Sequence, residues 1–274
     1  MNLTPSFFNY LLHLADDALI LGQRNSEWTG HGPVLEQDIA ITNISLDLFG
    51  QTRNIFQYAA ALYNESGEDA QKEVAALLPQ PWKSYGRELQ EDDLAFLRDE
   101  RQYRNSLLVE LPCGDWAHTV LRQFFFSAFQ HLQYHSLTRS GDTQLAAIAE
   151  KALKEVTYHL RWSSEWVIRL GDGTEESHRR MTQALSTLWT FTGELLQPAA
   201  YELEAAQENR GIDPSELRDA WTEKVDAIFS EAGLERPSTT WVQSGGKDGR
   251  HTEHLGFLLT ELQYMQRTYP NLTW

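Results

Sequence analysis

Basic side chains are scarce in this sequence: 23 lysines and arginines face 39 aspartates and glutamates over 274 residues, a formal charge of -16. That surplus repels phosphate backbones and anionic lipid headgroups at long range, which argues against nucleic acid and membrane surfaces as partners. The sign suits a basic protein partner instead. Cysteine is nearly absent too, and the single Cys113 permits no internal disulfide. No apolar run approaches the roughly 20 residues of a membrane span, and MNLTPSFFNYLLHLADD lacks the basic start of a signal peptide. A soluble, cytoplasmic protein is expected. Strand-like alternation is missing throughout, so the fold class expected is all-α. Recognisable catalytic loops are missing as well. GGKDG (245–249) follows no strand and lacks the spacing of a phosphate loop, and Cys113, between Pro112 and Gly114, has no evident base to make it a nucleophile.

Present in quantity are hydrophobic residues, 41%, with 11% aromatics, enough to fill a large core. From Pro5 to about Trp28, Phe8, Leu11, Leu12, Ala15, Leu19 and Gly22 recur at three- and four-residue intervals, the period of a helix with one buried face. TGHGP (29–33) ends it, and a second helix runs from Val34 to about Asn64. So short a turn makes the two an antiparallel hairpin. Residues 65–92 read as a polar, proline-broken excursion with one short helix, and 92–111 as another short helix. Asp115 caps a third long helix that is apolar nearly all round, and Asp142 caps a fourth, to about Leu170, which gives a second hairpin. Thr174 and Ser177 open a fifth helix to about Asn209, and Asp213-Pro214 starts a sixth. An extended stretch, 235–251, precedes a terminal helix from about His254 to Tyr269. The whole reads as a single domain of 274 residues.

In an antiparallel hairpin, residues equally far from the turn stand at equal height. Asp17 and Asp47 lie 15 residues either side of Gly32, and Ser127 and Glu155 lie 14 either side of Gly141. All four therefore stand about 21 to 23 Å from the turns, the mid-height at which a ferritin-like bundle holds a di-iron centre. The donor set is deficient there. Such a centre takes a lone Glu from each of two helices and Glu-x-x-His from the other two. Here Gly50 and Tyr158 occupy the positions three after Asp47 and Glu155, Ser127 is no carboxylate, and His159 comes one residue late. Asp115 with His118 and Glu175 with His178 have the spacing but lie in first turns of helices, where they match the dipole. Glu155 and His159 are then an unusual ligand pair, the remains of one, or a structural polar pair, with Arg53, Arg24 and Lys151 as cations that could satisfy a buried Glu155. HTEH (251–254) offers two histidines, half a zinc site at most, and reads better as surface or interface histidines.

Four blocks exceed what helix physics demands: RNSEWTGHGPVLEQDIAITNISLDLFGQTRN (24–54), FLRDERQYRNSLLVELP (96–112), KALKEVTYHLRWSSEWVIRLGDGTEES (151–177) and SGGKDGRHTEHLGFLLTELQYMQR (244–267). Together they resemble the C-subunit family of the bacterial multicomponent phenylacetyl-CoA epoxidases, PaaC. Residues 65–90 look like an insertion beyond the usual family length. The resemblance implies a ferritin-like, non-catalytic structural subunit without cofactor of its own. It implies a homologous catalytic A subunit holding the di-iron centre, in a heterodimer or heterotetramer, a bridging B subunit, and a reductase that carries FAD and iron-sulfur and draws on NADPH. No catalytic or metal residue is implied for this chain; Asp17, Asp47, Ser127, Glu155, Tyr158 and His159 mark the lost site. Trp28, His31, Leu35, Phe49 and Tyr58 are interface candidates on the first hairpin. Two rival readings stand beside this one: an active di-iron oxygenase or oxidase built on Asp17, Asp47, Glu155 and His159, and a homodimer acting outside the epoxidase.

Overall fold

Buried carboxylates and amides, as much as apolar stripes, decide where the helices of this protein begin, bend and stop. A computed structural model describes residues 3–272. Helix α1 (Pro5–Ser26) starts on Thr4, whose hydroxyl accepts from the Phe7 amide at 3.2 Å, with Pro5 in the first turn. It is buried almost all round. A turn through residues 27–34 leads to α2 (Leu35–Asn64), which packs along α1, with Gly22 of α1 letting Phe49 and Leu48 come close. The excursion that follows holds the short helix α3 (Glu68–Val74). It closes where Asn64 clamps Leu89, donating to its carbonyl at 2.9 Å and accepting from its amide at 3.1 Å.

Two further short helices come next, α4 (Glu91–Phe96) and α5 (Leu107–Glu110). The single helix expected over 92–111 is thus replaced by two, and the reason lies in α1. Asp16 and Asp17 are buried and need donors. They take the Arg98 guanidinium, the Arg104 amide at 2.8 Å and the Ser106 amide at 2.7 Å, which pulls the intervening chain out of helical geometry.

Helix α6 (Trp116–Leu137), capped by Asp115, and α7 (Thr143–Gly171), capped by Asp142, form the second hairpin. Helix α7 also packs on α2, and Asn25 of α1 donates to Gln123 of α6 at 2.6 Å, so α1, α2, α7 and α6 close a four-helix bundle. Helix α8 (Glu175–Thr192) ends well before Asn209, the expected end of the fifth helix. Pro198 cannot continue a helix, and a 3-10 turn (Gly193–Leu196) turns Glu194 inward before α9 (Ala200–Gln207). Beyond α10 (Arg218–Ala232), capped by Gly233, the chain runs extended to a 3-10 turn, Gly246–Asp248. The expected terminal helix is broken into α11 (Glu253–Leu262) and α12 (Tyr264–Thr268) around Gln263, whose buried amide donates to the Arg98 carbonyl and the Tyr103 hydroxyl, each at 2.9 Å. The protein is all-α, with no strand among the described residues. One continuous core unites the helices, and no described helix is long and apolar enough to cross a membrane.

Candidate functional site

Mid-way along the bundle the interior is polar, and its members come from three helices. Gln51 of α2, fully buried, donates from Nε2 to Glu155 Oε2 of α7 at 3.0 Å. Its Oε1 accepts from Gln130 Nε2 at 3.2 Å and from the Tyr134 hydroxyl at 3.3 Å, both on α6. One amide therefore ties three helices together, and burial, with Glu155 nearby, pushes the Tyr134 phenol up from its ordinary value. Beside it, His159 Nε2 lies 3.0 Å from Asp47 Oδ2. Further along, Ser127 accepts from Gln123 Nε2 at 2.8 Å, the same Gln123 that Asn25 meets.

This arrangement corrects several expectations. Glu155 and His159 do not pair with each other: both reach across to α2, to Gln51 and Asp47 respectively. None of the expected cations satisfies Glu155. Arg53 stands exposed 3.5 Å from Glu91, Arg24 serves Glu27 and two backbone carbonyls, and Lys151 is exposed. Tyr158 points outward against Arg161 and fills no ligand position. Asp17 turns to Ser106 and His13, and no described hydrogen bond or ion pair joins it to Asp47, Glu155 or His159. Two irons need several carboxylates to neutralise their charge. The side chains gathered here are mostly amides, hydroxyls and a phenol, and they do not fit that centre. Among the described residues no three His, Cys, Asp or Glu side chains are grouped to hold a metal.

Gln51, Gln130 and Tyr134 escaped sequence reasoning, though a signal was there. Gln123, Ser127, Gln130 and Tyr134 fall at three- and four-residue intervals, a polar stripe on a helix otherwise apolar nearly all round.

A second polar cluster anchors the C-terminal segment. Lys247 is buried and donates to both Glu202 oxygens, at 3.0 and 3.2 Å, and to the Gln197 carbonyl at 3.0 Å. Burial alone would raise the Glu202 carboxyl; Lys247 and His13 outweigh it and hold it at about 2. Glu194 accepts from the Leu107, Gly245 and Gly246 amides, all within 2.8 Å, and its burial pushes its carboxyl up. Glu110 receives His251 Nδ1 at 2.8 Å and the Thr252 amide at 2.6 Å. The expected surface histidines of HTEH are thus half corrected, because the His251 side chain is wholly buried. Glycine is required here for approach and for conformation: a Cβ on Gly246 would strike the Asn105 carbonyl, and Gly249 holds φ at +77°.

The interface candidates separate into two groups. Trp28 is partly buried against the core, its ring edge-on to Trp116 at 5.1 Å and its Nε1 donating to Thr119 at 2.8 Å. Tyr58 is half-buried and donates to Asp142 at 2.7 Å, and Phe49 lines a cleft beside α4. His31 and Leu35 face outward. Leu35, Ile39 and Leu46, 71, 51 and 61% exposed, fall four and seven residues apart and form an apolar stripe on the outer face of α2.

The same residues can be set beside known proteins. The model of the family described as phenylacetic acid catabolic protein matches residues 2–274. The chain belongs to this family. Within the phenylacetic acid catabolic proteins it is 44% identical over 265 residues to the C subunit of the 1,2-phenylacetyl-CoA epoxidase of Escherichia coli (strain K12), covering 97% of this chain and 98% of that protein. The stretches EWTGHGP and GGKDGRHTEHL of this chain close the first hairpin and latch the C-terminal segment.

Proposed function

We propose that this chain is a non-catalytic, cytoplasmic structural subunit of a phenylacetyl-CoA epoxidase in aerobic phenylacetate catabolism. In this reading it scaffolds a homologous di-iron catalytic subunit, while a bridging subunit and a reductase carrying FAD and iron-sulfur and using NADPH complete the complex. The observation that carries the reading is the chemistry of the mid-bundle layer. Gln51 bonds Gln130, Tyr134 and Glu155, and separately Gln123 bonds Ser127 and Asn25, so amides and hydroxyls partner Glu155 and Ser127, the positions where ligands would stand. That exchange stiffens the interior without a cofactor. The chain's contribution to catalysis then falls to its surface, and the stripe Leu35, Ile39, Leu46 supplies apolar area that a partner bundle can cover.

Scaffolding of this kind holds a partner's ligand-bearing helices within the small tolerances that metal chemistry needs. The test is co-expression with a catalytic subunit of the epoxidase, then size-exclusion chromatography and an epoxidation assay with and without this chain. A stable complex whose activity collapses in its absence is expected. Unchanged activity without the chain would sink the role, near-stoichiometric iron in the purified chain would favour the di-iron rival, and a stable homodimer that ignores the catalytic subunit would favour the third reading.

A further inference from the structure

Between the second half of α2 and the short α4 lies a half-open cleft of about 300 Å³. Phe49, Phe56 and Phe96 line it with Leu19, and Leu262 of α11 borders it. Phe49 and Phe96 are only partly buried, so aromatic surface is left open in the cleft. At the lip stands Asp92, exposed and without a hydrogen bond or ion pair among the described residues. The cations close by are taken: Arg53 lies 3.5 Å from Glu91, and Arg87 grips Asp93 at 2.7 and 2.8 Å. Desolvation, with Glu91 and Asp93 alongside, pushes the Asp92 carboxyl up, and Arg53 and Arg87, engaged by Glu91 and Asp93, offset it only in part.

An apolar cleft with an acidic lip disfavours carboxylates and phosphates, and suits an apolar group carried next to a cation. The pattern continues on α11, where Phe257, 70% exposed, stands one turn from Glu253 on one side and Glu261 on the other, both unpaired among the described residues. With the whole chain at -16, the complementary occupant is a basic polypeptide. We propose that this cleft docks a basic segment of a protein partner, which seats one apolar side chain among Phe49, Phe56 and Phe96 and sets a lysine or arginine against Asp92. The site is separate from the Leu35, Ile39, Leu46 stripe. It rests on the reading of the chain as an assembly subunit.

Arg53 lines the cleft and its side chain is 70% exposed, so Arg53→p-benzoylphenylalanine places a photo-crosslinker there without disturbing the core. The variant is co-expressed with the other epoxidase subunits, irradiated, and the cross-linked peptide sequenced by mass spectrometry. One subunit should be captured through a peptide in which an apolar residue adjoins Lys or Arg. Adding Asp92→Lys should lower the yield about tenfold, the cost of one like-charge contact. No cross-link, an acidic cross-linked peptide, or a yield indifferent to Asp92→Lys would each overturn the proposal. Co-purification with the catalytic subunit is scored in the same preparation. If it persists while the cross-link is absent, the docking site fails and the assembly role stands; if it is lost, both fail.

Discussion

Lys247 and Glu202 show how much rests on single side chains. Each is almost wholly buried, and neither charge is tolerable inside without the other. Lys247→Met should therefore destabilise the protein by about 3 to 5 kcal/mol, chiefly by orphaning Glu202, as read from urea unfolding at neutral pH. Acid should erode the same contribution. The folded Glu202 carboxyl at about 2 lies below its ordinary 4.5, so the unfolded chain takes up the proton first. Its stabilisation is complete above about pH 4.5 and is lost as pH falls toward 2. The gap in unfolding free energy between wild type and Glu202→Gln should close over that window. His251 runs the other way. Burial would lower it, but Glu110 more than compensates and holds it above 6.5, so its contribution is complete below pH 6.5 and fades as pH rises through the folded value. The penalty of His251→Gln should be larger at pH 6 than at pH 9, by the same measurement.

At the level of elements, the two hairpins were legible from long apolar periodicities, and the caps of the second because Asp115 and Asp142 sit just before them. Where reading failed, a side chain distant in sequence had overridden local propensity. Asp16 and Asp17 unwind residues 97–106, and the buried Gln263 splits the last helix. No local pattern announces such pairings. The mid-bundle was legible in part: its level followed from counting back from the turns, but a one-dimensional count gives height and not direction. Hence Asp17 at the expected height turns toward Ser106, while Gln51 was missed. Gln51→Leu tests that layer. It strips partners from the buried Gln130 and Tyr134 and from the half-buried Glu155, and at about 1 to 3 kcal/mol for each orphaned buried group it should cost at least about 2 kcal/mol in a thermal or urea melt. Gly249→Ala should loosen the C-terminal segment, since a Cβ at φ +77° is strained and would meet the Arg101 carbonyl. Faster hydrogen exchange in 244–252 than in α6 would record it.

The molecule as a whole presents a neutralised interior and a patterned exterior. If assembly is its task, surface changes should separate from stability. Leu35→Glu with Leu46→Glu should abolish co-elution with the catalytic subunit while moving the chain's own stability by no more than about 0.5 kcal/mol, as is usual for exposed positions. One internal feature bears on how the chain is made. Lys247 reaches residues 195–202, and its neighbours Gly245, Gly246, His251 and Thr252 complete Glu194 and Glu110. Every helix of the four-helix bundle is synthesised before any of these donors leaves the ribosome. A nascent chain halted at residue 240 therefore holds the hairpins but leaves Glu194, Glu202 and Glu110 without those donors, and burying them would be costly. The last eighth of the sequence thus supplies the donors that close the fold, and a chain ended before it should be cut faster than the full chain in limited proteolysis.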